Sequence, residues 1–118
     1  MALTRGRLTN VTNVSSGSTS AIITVANNKK VYVKSIAIHD GSVGLATVAV
    51  ACTAQVYLVP NGGSVSDATR MYEVTLSDKE TVLIEPSYPI VLEDTGDTLQ
   101  VGGLGGTLNV MVHGDKEV

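Results

Sequence analysis

The chain has no tryptophan and no phenylalanine, and four tyrosines are its only aromatic side chains. A core has to be built from Val, Leu, Ile, Ala and Met, which bury less area per residue than rings do. Stability is therefore expected to be supplemented by an oligomer or a partner surface. So few rings also leave little to stack sugars or bases on. A carbohydrate-binding surface would have to rely on residues such as Tyr57 and Tyr88. There is a single cysteine, Cys52, so no internal disulfide can form. With no basic neighbour in sequence to stabilise a thiolate, it reads as a small buried hydrophobe. No apolar run reaches the roughly 18–20 residues of a membrane-spanning helix. The opening MALTRGRLTN lacks the apolar segment of a signal peptide, so it is not expected to act as one. The two Asn-x-Ser/Thr matches at 10–15 then read as polar strand residues and not as glycan acceptors.

One sign of charge is missing from the first third. Residues 1–39 hold Arg5, Arg7, Lys29, Lys30 and Lys34 and no acid. The remainder holds all eleven acids and only Arg70, Lys79 and Lys116. The net charge of −3 thus conceals a basic beginning and an acidic remainder. A bipolar particle follows if the fold keeps the two apart, its basic end suited to an acidic partner.

What is abundant is alternation. Along 46–58 every even position is apolar, Ala46, Val48, Val50, Cys52, Ala54, Val56 and Leu58, while Thr47, Ala49, Ala51, Thr53 and Gln55 between them are small or polar. Period two with β-branched residues signals a strand with one face on a core. Pro60-Asn61-Gly62-Gly63 ends it, since proline removes a ladder donor and glycine admits positive φ. Similar short runs recur at 8–14, 21–25, 30–39, 69–76, 80–85, 90–92, 97–101 and 107–113. In 30–39 the phase slips, with Val31 and Val33 odd but Ile36 and Ile38 even. Either a bulge near Lys34-Ser35 or a strand buried on both faces accounts for the slip. Eight or nine strands with turn signals every eight to twelve residues predict a single all-β domain. It should be an antiparallel β-sandwich of jelly-roll type. An immunoglobulin-type sandwich is the alternative, but its Cys…Trp…Cys core is absent. We expect a basic N-terminal arm at 1–7, a sandwich at 8–114 and a charged tail at 115–118.

Catalytic and metal chemistry find little purchase. His39 and His113 each end a strand beside an aspartate, which suits a polar turn better than a metal pair. Glu93, Asp94 and Asp97 lack the alternating ligand spacing of a calcium loop, so turn capping is the expected role. The run Gly102-Gly103-Leu104-Gly105-Gly106 is followed by no GK[ST] and no helix; it is expected to be a hairpin loop, not a phosphate cradle. No nucleophile–base set stands in a recognisable context, so neither an enzyme nor a cofactor is expected. Tyr32 between Lys30 and Lys34 is the one hint of nucleic-acid binding, and the acidic overall charge opposes it. Neither nucleic acid nor membrane is an expected partner.

Four segments carry a resemblance: 19–36 (TSAIITVANNKKVYVKSI), 55–63 (QVYLVPNGG), 74–84 (VTLSDKETVLI) and 89–100 (PIVLEDTGDTLQ). In this order and spacing, over about 100 residues, the chain resembles a widespread group of small bacteriophage virion proteins. Two departures are the Ala26-Asn27-Asn28 turn and the longer, more apolar 41–51. The resemblance implies a β-sandwich that decorates or cements the outside of a capsid, and we expect a homotrimer on the major capsid protein. A tail, baseplate or head–tail connector component is the alternative, and a host-surface carbohydrate-binding module a further one. The expected contacts to shell or sister subunits are Arg5, Arg7, Lys29, Lys30, Val48 and Val50. The arm is expected to be ordered by a neighbouring subunit, its two guanidiniums pairing with carboxylates. The extension at 41–54 is expected to be covered by a sister subunit or by the shell.

Overall fold

A computed structural model describes residues 3–27, 29–41 and 52–117. Ten strands run through them: β1 (Leu3–Arg7), β2 (Thr12–Val14), β3 (Thr19–Thr24), β4 (Val31–Asp40), β5 (Cys52–Val59), β6 (Arg70–Leu76), β7 (Thr81–Ile84), β8 (Ile90–Leu92), β9 (Thr98–Leu104) and β10 (Leu108–Glu117). Among the described residues there is no helix, and so none long and apolar enough to cross a membrane.

The chain is folded back on itself like a closed ribbon. β1 and β2 pair with β10, β3 with β9, β4 with β7 and β8, and β5 with β6, all antiparallel. The ribbon then wraps into two sheets. One has the order β1-β10-β4-β7, with β2 beside β1 on β10 and β8 beside β7 on β4; the other has the order β3-β9-β5-β6. This interleaving of first-half and second-half strands is the jelly roll the sequence predicts. The connections gather at two ends. At one, Asp97 Oδ1 accepts the Asn61 amide at 3.1 Å and Oδ2 accepts the Asp94 amide at 3.2 Å, tying the 60–63 and 93–97 turns together. Turn capping is thus what this carboxylate does. At the other end the Gly17 amide donates to the Gly103 carbonyl and the Gly41 amide to the Thr107 carbonyl.

The core lies between the sheets and is aliphatic. Ile36, Ile38, Leu108, Val110 and Val112 from the first sheet meet Ala54, Val56, Leu76, Leu99 and Val101 from the second. Each full burial is worth about 1.5–3 kcal/mol, so the fold rests on many small contributions and not on a few rings. The alternation of β5 holds through Leu58, which is half-buried and packed against the core, opposite Leu99 in the ladder with β9. The ladder with β6 shifts register at Val56 and Tyr57, and Val59, opposite Thr98, is buried as well.

The phase slip in β4 is a bulge at Lys34. His113 pairs with Ser35 and Gly114 with Val33, so Lys34 has no opposite number. Val31 and Val33 on one side of it and Ile36 and Ile38 on the other all reach the core. The strand that faces the bulge needs a glycine. A Cβ on Gly114 would run into the carbonyl oxygen of Tyr32.

Three expectations are corrected. Residues 3–7 are not a free arm: β1 is laddered to β10 from Leu3↔Glu117 to Arg7↔His113. Residues 115–117 are accordingly strand and not tail. Backbone pairing orders both segments although neither has an apolar pattern, which is why the pattern gave no sign of it. Gly102 and Gly103 are not loop but the end of β9. There a side chain on Gly102 would press on Thr19, and one on Gly103 on the Gly106 carbonyl and Leu108. Val48 and Val50, with the rest of 42–51, lie outside the described residues.

Candidate docking surface

Of the two arginines and two lysines singled out from the sequence, Arg5 and Arg7 lie on β1 at one margin of the first sheet, and Lys29 and Lys30 lie in the connection from β3 into β4. The Arg5 Nε donates to Asp115 Oδ1 at 3.2 Å, and Lys34 Nζ meets Asp115 Oδ2 at 2.9 Å. Asp115 itself is 6% exposed. The bulge makes this triad possible, because Lys34, skipped by the ladder, overhangs the β10 residue that follows Gly114. The hydrogen bond from Lys34, reinforced by Arg5, holds the Asp115 carboxyl below its ordinary value against the opposing effect of burial. The carboxylate expected for Arg5 on a neighbouring subunit is therefore on its own chain, and the arm needs no partner to be ordered. Arg7 lies on the exposed β1 opposite His113 and enters none of the ion pairs among the described residues.

Beside this margin the sandwich gapes. A cleft of about 530 Å³ opens between the edge strand β3 and the end of β10, lined by Leu8, Ile22, Val31, Lys29, Lys30 and Lys116 among others. It stays open because Arg5 turns to the outer face, leaving Thr4 and Gly6 on the other side of β1. Nothing lies within 4 Å of where a Gly6 Cβ would be. The floor is apolar, with Leu8 and Ile22 packed against the core. The rim carries three lysines against one acid, Glu117. Such a site accepts an apolar side chain flanked by carboxylates. Lys116, which sequence reasoning passed over as tail, is as much a part of it as Lys29 and Lys30. The β10–β4 ladder brings it there, pairing Lys116 with Val31 and the Glu117 amide with the Lys30 carbonyl.

The outer face of the same sheet is ruled in rows. Asn13 Nδ2 donates to Asn109 Oδ1 at 3.0 Å, and His39 Nδ1 lies 2.8 Å from Thr81 Oγ1, which makes one polar row. The next row is apolar: Met111, Ala37 and Leu83 stand opposite one another, with Val11 beyond Met111. A shallow recess of about 120 Å³ lies among Val11, Ala37 and Met111. The third row runs Arg7, His113, Ser35. His39 and His113 thus stand in different rows, and among the described residues no group of three or more His, Cys, Asp or Glu is placed to hold a metal. The second sheet's outer face is different, being closed by a polar chain. Tyr57 Oη donates to Gln55 Oε1 at 3.0 Å, and Gln55 Nε2 donates to Glu73 Oε1 at 2.8 Å. That spends Tyr57 on the protein's own hydrogen bonds, whereas Tyr88 is 85% exposed.

Cys52 is buried at the end of the core beside Asp40. Burial first, and then the Asp40 charge and its hydrogen bond, push the thiol up to about 11. It is chemically quiet where it stands.

No protein-family model and no curated protein matches the chain. The fold and the surface define its class: an all-β jelly-roll domain whose distinctive surface feature is a lysine-rimmed, apolar-floored cleft at one margin.

Proposed function

We propose that this chain is a non-enzymatic bacteriophage structural protein. It would bind the outside of the major capsid protein shell as a decoration, or cement, protein and stabilise the head. Four motifs in order supply the virion setting, and the jelly-roll body is the architecture they imply. The observation that carries the docking is the cleft. Lys29, Lys30 and Lys116 stand around the floor of Leu8, Ile22 and Val31, a combination suited to an acidic, partly apolar segment of a shell subunit. Many modest contacts of this kind, repeated over a shell, hold by avidity.

The test is occupancy on heads of the phage that carries the chain. Added to heads lacking it, the chain should saturate at hundreds of copies, visible by cryo-electron microscopy. Lys30→Glu with Lys116→Glu should cut that occupancy at least roughly tenfold without unfolding the domain. A dozen copies or fewer, confined to one vertex or the tail, would refute decoration and place the chain in the connector or tail. Full occupancy by the double variant would refute the cleft as the contact.

A further inference from the structure

The two margins of the first sheet are complementary to each other. One is β1 with β2, where Arg5 and Arg7 accompany exposed Leu3 and Val11. The other is β7 with β8. There Glu80, Glu85 and Glu93 accompany exposed Leu83, Tyr88 and Val91. Five of the eight large hydrophobics exposed among the described residues thus sit on or beside these margins. From Glu73 to Asp97 the only base is Lys79. Neither margin has a further strand beside it among the described residues.

We infer that copies of this chain associate head to tail, the β1 margin of one against the β7–β8 margin of the next, closing into a small ring. Three observations select this arrangement. The first is charge: a two-fold contact through β1 would set Arg5 and Arg7 against themselves. One through β7 would do the same with Glu80 and Glu85. Only the mixed contact brings opposite signs together. The second is strand direction. β1 is antiparallel to β10, β10 to β4 and β4 to β7, so the two margin strands run in opposite directions. A rotation about an axis along the strands carries β1 to the next copy's β7 with the antiparallel alternation unbroken. The third is register. Arg7 stands opposite His113 and His113 opposite Ser35, while Glu85 is one residue beyond the Ile36–Ile84 pair. Arg7 and Glu85 therefore close the two ends of a single row across the sheet. This assembly does not depend on the chain residing in a virion, and the cleft lysines are left to face another partner.

A head-to-tail contact has a signature that a two-fold contact lacks. Arg7→Glu spoils one margin and leaves the other intact; Glu85→Lys does the reverse. Molar mass would be measured for the full chain by light scattering after size exclusion, with far-ultraviolet circular dichroism confirming the fold of each variant. The unaltered chain should run as a closed oligomer that dissociates as salt rises. Each single variant should associate at least roughly tenfold more weakly and run as a monomer. Mixed in equal amounts, the two should associate again and grow beyond two chains in alternation, since one junction keeps the original pair and the next carries it with the charges exchanged. The doubly substituted chain should recover the ring. An unaltered chain that stays monomeric at the highest concentration reached would overturn the inference. So would single variants that keep the parent mass, or a mixture that forms nothing or stops at two chains.

Discussion

Replacing Gly114 by alanine should unfasten one end of this molecule. The added Cβ would collide with the Tyr32 carbonyl oxygen and lie 3.0 Å from the Tyr32 carbonyl carbon and 3.1 Å from the Lys34 amide nitrogen. All three are backbone atoms of the central strand, so no rotamer change can make room. Either β4 and β10 separate at the bulge or the ladder beyond it is given up. That ladder comprises Gly114↔Val33, Asp115↔Tyr32 and Lys116↔Val31, followed by the Glu117 amide on the Lys30 carbonyl at 3.0 Å. Loss of about three backbone hydrogen bonds, at about 1 kcal/mol net each, amounts to about 3 kcal/mol. For a domain whose total is about 5–15 kcal/mol this is severe. Gly17→Ala is the control: its φ of +77° is unfavourable to alanine, but nothing lies within 4 Å of the new atom. It should cost only about 1 kcal/mol. Urea unfolding measures both. Amide exchange then locates the damage, because β1 hangs on the same stretch of β10 and its amides should lose protection together with those of 114–117. A Gly114→Ala variant that matched the parent to within about 0.5 kcal/mol, with β1 still protected, would show that β10 does not need a glycine to pass the bulge.

The Asp115 triad gives a pH dependence of known sign. Its carboxyl is held below the ordinary value by Lys34 and Arg5. The stability it contributes is therefore fully present above about pH 4 and is lost as pH falls through the depressed folded value. Asp115→Asn should be less stable than the parent at neutral pH, and the gap in urea midpoints should close in strong acid; a gap independent of pH would refute the pairing. Cys52 has the opposite sign. Its thiol is raised to about 11, so folding favours the protonated form, and that contribution is complete below the ordinary thiol value and lost as pH rises toward 11. Native protein should react with a disulfide reagent no faster than it opens. Labelling at the rate of a free thiol at neutral pH would contradict the burial of this side chain.

Most of the fold was legible because the core is written in period two. The bulge in β4 could be placed near Lys34-Ser35 from Val31, Val33, Ile36 and Ile38, since one slipped position changes which face every later side chain takes, and the ladder with β10 settles it on Lys34. Proline and glycine marked the 60–63 turn for the same local reason. What was not legible depends on pairings between residues more than a hundred positions apart. Nothing in LTRGR says that it will lie along HGDKE, because the bonds that hold it are main-chain bonds and every residue in both segments has the groups to make them. The same pairing hid the acceptor of Arg5, and the β10–β4 ladder hid the place of Lys116. The glycine run at 102–106 misled in another way. Glycine marks both a loose turn and a strand approached closely by its neighbours, and only the positions of Thr19 and Leu108 decide between them.

The charge asymmetry of the sequence acquires its meaning from the wrapping. In a jelly roll each sheet alternates strands from the first and second halves of the ribbon, in this sheet β1, β10, β4, β7. A chain whose basic residues come early and whose acids come late is therefore not sorted into a basic end and an acidic end. It is striped. Within the sheet, stripes of opposite sign are neighbours, and the Arg5–Asp115–Lys34 triad is that neighbourhood made into an ion-paired cluster. At the margins the stripes have no neighbour. With four strand positions across the sheet, an even number, the two margins (β1 with β2, and β7 with β8) come from opposite halves of the ribbon and so from opposite signs. A contact between margins of successive copies repeats between chains the same basic-against-acidic pairing that the sheet makes within one. The asymmetry can thus serve internal stability and assembly at once, with no residue dedicated to assembly alone except those, such as Arg7 and Glu85, that close a row.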